Sequence, residues 1–163
     1  MPMRESEIAA AREAVGAAFA GLAPPGDDAL LHPDCRDDND IADFYGPLRR
    51  EDVTRELLVA NYAALSFFSA TAFRYYLPAY LALALDEPES PEIVVEATLQ
   101  ALDPSLFGQR LEAFQVSKYA RFDDLQKGAV TRFLEAFTRD EDLGGIAVEA
   151  LRYWYAVAPR DVR

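Results

Sequence analysis

Between Ser66 and Leu85 the chain reads SFFSATAFRYYLPAYLALAL, its most apolar and most aromatic stretch, with one charge at Arg74. From Ala70 onward Phe73, Leu77, Tyr80 or Leu81, and Ala84 recur at intervals of three and four, the period of a helix face. Ala72, Tyr76 and Leu83 fall elsewhere on the wheel and are apolar too; a helix apolar nearly all round belongs in a core. Ser69 stands where a cap is needed, its oxygen free to accept from the first turn. A membrane crossing would need roughly twenty uninterrupted apolar residues. Arg74, Tyr75, Tyr76, Tyr80 and Pro78 interrupt this run, which favours a central core helix. Pro78 cannot donate to the carbonyl four residues back and crowds the preceding turn, so a kink or a break into two helices is expected there.

The same periodicity places further helices on either side. Ile8, Ala11, Val15, Ala18, Phe19 and Leu22 form an apolar stripe over Glu5–Leu22, ended by Pro24-Pro25-Gly26. After the irregular stretch PPGDDALLHPDCRDDND, Asp37 or Asp38 can cap a short helix carrying Ile41, Phe44 and Tyr45, stopped at Gly46-Pro47. Thr54 can cap a helix from Arg55 to about Ala64. Ser90-Pro91-Glu92 reads as cap, first-turn proline and dipole-matching acid for a helix reaching about Leu102. Phe107–Phe122 suits one or two short helices divided near Val116-Ser117. Asp123 with Gln126 has the spacing of a capping box, ahead of an amphipathic helix carrying Val130, Phe133, Leu134 and Phe137. Gly144-Gly145 separates it from a last helix that turns Ala147, Leu151, Trp154 and Tyr155 inward. No strand pair, repeat or interdomain linker interrupts the pattern. The expected fold is all-α, one domain over residues 1–163, with six to eight helices around the Pro-bent central one.

Composition agrees with a folded chain. Of 163 residues 51% are hydrophobic, and Ala and Leu outnumber β-branched types. The N-terminus MPMRESEIAAAREAV has acids and no long apolar segment, so it does not read as a secretory signal. Cys35 is the only cysteine and cannot form an internal disulfide, which suits a cytoplasmic protein.

Charge changes the picture more. The net charge is −12, and it is concentrated. Residues 27–43 hold Asp27, Asp28, Asp34, Asp37, Asp38, Asp40 and Asp43 against Arg36 alone, and residues 86–103 hold Asp86, Glu87, Glu89, Glu92, Glu96 and Asp103 with no base. Each segment is −6 and the rest of the chain is neutral. Carboxylates repel phosphates and anionic lipid, so nucleic acid and membrane are not expected partners. A basic protein partner is expected, steered by the two segments, with Phe44, Tyr45, Tyr75 or Tyr80 as aromatic anchors.

Catalytic motifs are missing. There is no Gly-x-Ser-x-Gly elbow, phosphate-cradling glycine loop or dinucleotide fingerprint, and no cofactor is implied. His32-Pro33-Asp34-Cys35 brings the only histidine near the only cysteine, but a structural zinc site wants four ligands and no other His or Cys exists. Asp37-Asp38-Asn39-Asp40 lacks the glycine of a calcium loop. No metal site is assigned. Arg74 is expected to pair with an acid or a loop carbonyl. The alternative is a small-ligand or metal pocket beside Pro78, lined by Arg74, Tyr75, Tyr76, Tyr80 and His32.

PPGDDAL, HPDC followed by Ile-Ala-Asp-Phe-Tyr-Gly, and YAALSFFSATAFRYYLPAYL together resemble a family of small bacterial proteins of unknown function. Ala72 to Tyr80, AFRYYLPAY, is the most specific part. The resemblance runs from the first helix to about Phe137 and is weak after Val116. It implies a short, cytosolic, single-domain protein with no assigned activity. Some relatives carry a second cysteine or a tryptophan after the HPDC-like step, where this chain has Arg36 and Asp37, which weakens a metal site further. The function expected from the residues is an acidic binding module, of the immunity or antitoxin kind.

Overall fold

The computed structural model describes residues 5–26, 29–35, 39–44 and 48–163, with the side chains of residues 39, 40 and 42 excepted. Seven α-helices form one all-helical domain among them: α1 (Glu5–Ala18), α2 (Arg55–Ala60), α3 (Ala70–Asp86), α4 (Ile93–Ala101), α5 (Gln109–Ser117), α6 (Asp124–Phe137) and α7 (Gly144–Val157). Short 3-10 turns cover Asn39–Phe44, Arg50–Asp52, Ala64–Ser66 and Arg160–Val162. Helix contacts close a ring, α1 on α3, α3 on α4, α4 on α7, α7 on α6 and α6 back on α1.

α3 runs unbroken through Pro78, so the two-helix alternative is set aside. Eleven of its 17 residues are buried, and Phe73, Leu77, Tyr80 and Leu81 have no measurable exposure. A helix enclosed on most sides has to satisfy its polar groups internally. The tyrosines do so by reaching into the segment before the helix: Tyr76 Oη donates to the Leu48 carbonyl at 2.7 Å and Tyr80 Oη to the Asn61 carbonyl at 2.7 Å. Tyr75 Oη accepts from the Arg50 amide at 3.0 Å. Ser69 caps as its position promised, accepting from the Ala72 amide at 3.1 Å, while its hydroxyl donates to the Ala29 carbonyl.

Residues 30–32 lie along residues 67–69. The His32 amide donates to the Phe67 carbonyl and the Ser69 amide to the Leu30 carbonyl, both at 2.8 Å, around an isolated Leu31–Phe68 bridge. This short pairing brings the HPDC turn to the start of α3.

The capping box of α6 is complete. Asp123 Oδ1 accepts from the Gln126 amide at 2.8 Å, and Gln126 Oε1 accepts from the Asp123 amide at 3.0 Å. Gln126 Oε1 also takes Arg74 Nε at 2.9 Å, and its Nε2 donates to the Ala18 carbonyl at 3.2 Å, so one side chain ties together α6, α3 and the end of α1. Thr54 caps α2 by accepting from the Leu57 amide.

Several boundaries differ from the sequence pattern. α2 stops at Ala60, where the Asn61 amide closes on the Leu57 carbonyl, and a 3-10 turn takes up Ala64–Ser66. α4 begins at Ile93, because Ser90 Oγ accepts from the Glu92 amide and holds the preceding turn outside the helix. The 107–122 region contributes a single helix, α5. Gly144-Gly145 is the first turn of α7 rather than a spacer; a Cβ on Gly144 would meet the Thr138 carbonyl at 2.6 Å, so glycine lets α7 start hard against the end of α6. Tyr155, expected inward, is 43% exposed, since Trp154 beside it takes the inward direction and donates to the Leu102 carbonyl at 2.8 Å. The cap at Asp37 or Asp38 and the stop at Gly46-Pro47 lie outside the described residues. No described helix is long and apolar enough to cross a membrane.

Two substitutions test this packing. Leu77→Ala empties a fully buried position on α3 and is expected to cost about 2–5 kcal/mol in urea unfolding. Asp123→Ala removes the α6 cap and is expected to cost about 1 kcal/mol. Equal, near-zero losses for both would contradict the burial of α3.

Candidate functional site

The second acidic segment divides into carboxylates that hold the fold and carboxylates that face solvent. Asp86 pairs with Arg12 on α1 at 2.6 Å. Glu87 accepts both Arg55 Nε and Nη2, at 2.7 and 2.9 Å, and that pairing holds its carboxyl below the usual range. Asp103 is buried and accepts from the amide and hydroxyl of Ser105. Glu89, Glu92 and Glu96 remain.

These three line a surface groove of about 750 Å³ together with Asp140, Glu141 and Asp142 from the α6–α7 turn. Pro88, Ser90, Pro91, Ile93, Val95 and Leu143 complete its wall, and none of the lining residues is basic. Arg55, outside the lining, comes within 4.0 Å of Glu92. Ile93 is 52% exposed, an apolar side chain in an acidic rim. The groove is built by local chain chemistry: the Ser90 amide donates to the Glu87 carbonyl at 3.0 Å and turns the chain at Pro88-Glu89 before α4, while Asp140 Oδ1 accepts from the Asp142 and Leu143 amides and folds the opposite turn. Three successive acids at 140–142 are the signal the sequence offers, but nothing in the order of residues says that they sit beside α4.

The first acidic segment is less gathered. Asp34 is exposed beside His32. Asp43 is exposed and accepts from Asn61 Nδ2 at 3.1 Å. Asn61 ends α2, whose other end carries Arg55 and its partner Glu87, so Asp43 and Glu87 flank one six-residue helix about 9 Å long. Asp27, Asp28, Asp37, Asp38 and Tyr45, and the side chain of Asp40, lie outside the described residues. Phe44 is buried, packed edge-on against Phe68 and Tyr76, and so faces the core rather than a partner.

Arg74, Tyr75, Tyr76, Tyr80 and His32 do not converge. Arg74 is occupied by Gln126 and, at 3.8 Å, by Asp123. The three tyrosines are buried with their hydroxyls engaged, and burial pushes the Tyr80 phenol far up. His32 sits apart, under α5. Its Nδ1 accepts from the Asp34 amide at 3.1 Å, which places the neutral-ring proton on Nε2, 3.0 Å from Ser117 Oγ. Ser117 in turn donates to the Phe114 carbonyl at 2.6 Å. Both ring nitrogens are therefore committed, and burial lowers the imidazole pKa further. Among the described residues no group of three or more His, Cys, Asp or Glu is placed to hold a metal.

Lys118 completes this corner, and the sequence pattern did not single it out. It is 1% exposed, and Nζ donates to the Ser66 carbonyl at 2.9 Å and to Gln115 Oε1 at 3.4 Å, above the Phe114 ring at 4.3 Å. Cys35 Sγ–H donates to the same Ser66 carbonyl at 3.9 Å. Burial pushes the lysine down to about 8, with Cys35 opposing, and pushes the Cys35 thiol up, with Lys118 opposing. The chain carries only two lysines among 16 basic residues, which was the available signal.

A family model matches residues 35–158, described as a family of unknown function (DUF6714). The chain belongs to that family. The DUF6714 match takes in both walls of the groove, together with Cys35, Ser117 and Lys118, and leaves α1 and His32 outside. It thus starts later than the resemblance in the sequence, which began at the first helix, and continues into α7. No curated protein matches the chain, and no solved structure does.

The Lys118 environment gives a pH test. With a folded-state value of about 8 against an ordinary 10.5, the native state holds fewer protons than the unfolded chain between those limits, so this residue makes stability rise across that window. Cys35 and the buried tyrosines, whose values are raised, act oppositely above about pH 9–10. Denaturant unfolding between pH 8 and 9 should therefore show a rise in the native protein that Lys118→Met flattens; identical slopes would mean that the amine is not desolvated.

Proposed function

We propose that this domain is a cytoplasmic binding module, of the immunity or antitoxin kind, that engages a basic protein partner. The observation that carries the reading is the groove: Glu89, Glu92 and Glu96 face Asp140, Glu141 and Asp142 with no basic lining residue. Six like charges around one concavity raise each other's energy, and a cationic segment entering it relieves that repulsion. Exposed Ile93 offers the apolar contact that a docked chain would cover. Asp86 and Glu87 serve differently, holding the end of α3 to Arg12 and Arg55 so that the groove's edge stays in place. Asp34 and Asp43 add negative charge outside the groove, which steers approach more than it fixes the complex.

The test is titration of an arginine-rich peptide into the full chain at two salt concentrations. Reversing Glu92, Glu96, Asp140 and Glu141 to lysine is expected to weaken binding roughly tenfold or more, whereas reversing exposed Glu13 and Glu51 leaves it nearly unchanged. Binding to the native protein should weaken with added salt. Equal effects of the two variants would reduce the groove to general surface charge and overturn the reading. A partner identified in the source cell must show the same ordering.

A further inference from the structure

The only cysteine of the chain and one of its two lysines hydrogen-bond a single backbone oxygen away from the groove, the Ser66 carbonyl. Sulfur and nitrogen are thus separated by one acceptor atom, 3.9 Å from Sγ and 2.9 Å from Nζ. Lys118 is an unusual tenant for so enclosed a place. Among the described residues no carboxylate pairs with it, and its oxygen partners there are a carbonyl and the Gln115 amide. Of the titratable groups around it, Cys35 is the one that favours its charged form. Burial leaves part of the amine unprotonated near neutral pH, which makes its lone pair available. Cys35 is half-buried on the HPDC turn, within reach of a small oxidant, and the enclosed amine lies on its inner side.

We propose that Cys35 and Lys118 form an oxidant-dependent covalent bridge, Sγ–O–Nζ, that ties the 29–35 segment to the end of α5. The oxidant is a peroxide. Sulfur first attacks one peroxide oxygen, giving the sulfenic acid and water. A second peroxide then takes up the two hydrogens lost as the sulfenic oxygen joins nitrogen, one from the S–OH group and one from the amine. Overall the S–H bond and one N–H bond break, an S–O and an O–N bond stand in their place, two peroxides are reduced and three waters leave. Four electrons from a thiol reductant reverse the change, restoring thiol and amine and releasing the bridging oxygen as water. The bridge would fix the 30–32 pairing against residues 67–69 that already seats the HPDC turn beside α3. Nothing in this chemistry uses the acidic groove, so the two readings stand or fall separately.

The experiment is intact-mass and peptide analysis of the full chain after hydrogen peroxide. The expected product gains one oxygen and loses two hydrogens, joins the Cys35 and Lys118 peptides, and disappears on reduction. Cys35→Ser abolishes it while keeping the fold, and Lys118→Arg abolishes it while leaving Cys35 oxidisable. Should Lys118→Arg fail to fold, the joined peptide in the native chain decides alone. Sulfinic or sulfonic acid at Cys35, or a disulfide between two chains, with Lys118 unmodified would overturn the proposal.

Discussion

A helix buried on most of its circumference cannot leave a hydroxyl or a backbone group unanswered, and α3 carries three tyrosines into the core. Among the described residues they bond the Leu48 and Asn61 carbonyls and the Arg50 amide, all in the 48–61 stretch that precedes α3. Arg50 strengthens the attachment, its guanidinium lying 5.0 Å over the Tyr75 ring and donating to the Phe19 carbonyl at 2.8 Å. These bonds tie residues 48–61 to the central helix. The aromatic bodies supply the apolar contact, with Phe44, Phe68 and Tyr76 packed at centroid separations of 4.9–5.2 Å.

Both surface features follow from where α3 begins and ends. At its start, the pairing of residues 30–32 with 67–69 places Cys35 and His32 over the Ser66 turn, where α5 brings in Ser117 and Lys118. At its end, Asp86 and Glu87 are held by Arg12 and Arg55, and the chain turns through Pro88 and Pro91 into α4, forming one rim of the groove. The second rim comes from the α6–α7 turn, which reaches this position because α7 packs on both α6 and α4. The exposed ion pairs at this end are worth little as stabilisers and act mainly to fix geometry.

What could be read from the sequence was local. The caps at Thr54, Ser69 and Asp123 depend on residues three apart, and all three were legible, whereas the sequence left α3 open between a kink and a break at Pro78. The all-helical fold followed from the same spacing. The groove was half legible, because Glu89, Glu92 and Glu96 stand out as a baseless run, whereas Asp140, Glu141 and Asp142 join them only through packing across some fifty residues of chain. Phe44 looked like a free aromatic beside acids, but its burial depends on Phe68 and Tyr76, which local order does not disclose. Lys118 was missed for the opposite reason: a lone lysine near the end of a weakly amphipathic helix looks solvated, and only the Ser66 carbonyl and Phe114 ring show that it is not.

The most direct measurement of the central claim is residue-resolved amide hydrogen exchange in Tyr75→Phe. Removing one hydroxyl leaves the Arg50 amide without its acceptor while keeping the ring in the core. The account predicts faster exchange at Arg50 and its neighbours in the 48–53 segment, with α6 and α7 protected as before. Unchanged protection at Arg50 would contradict it, since the irregular segment would then be held by something other than the buried tyrosines.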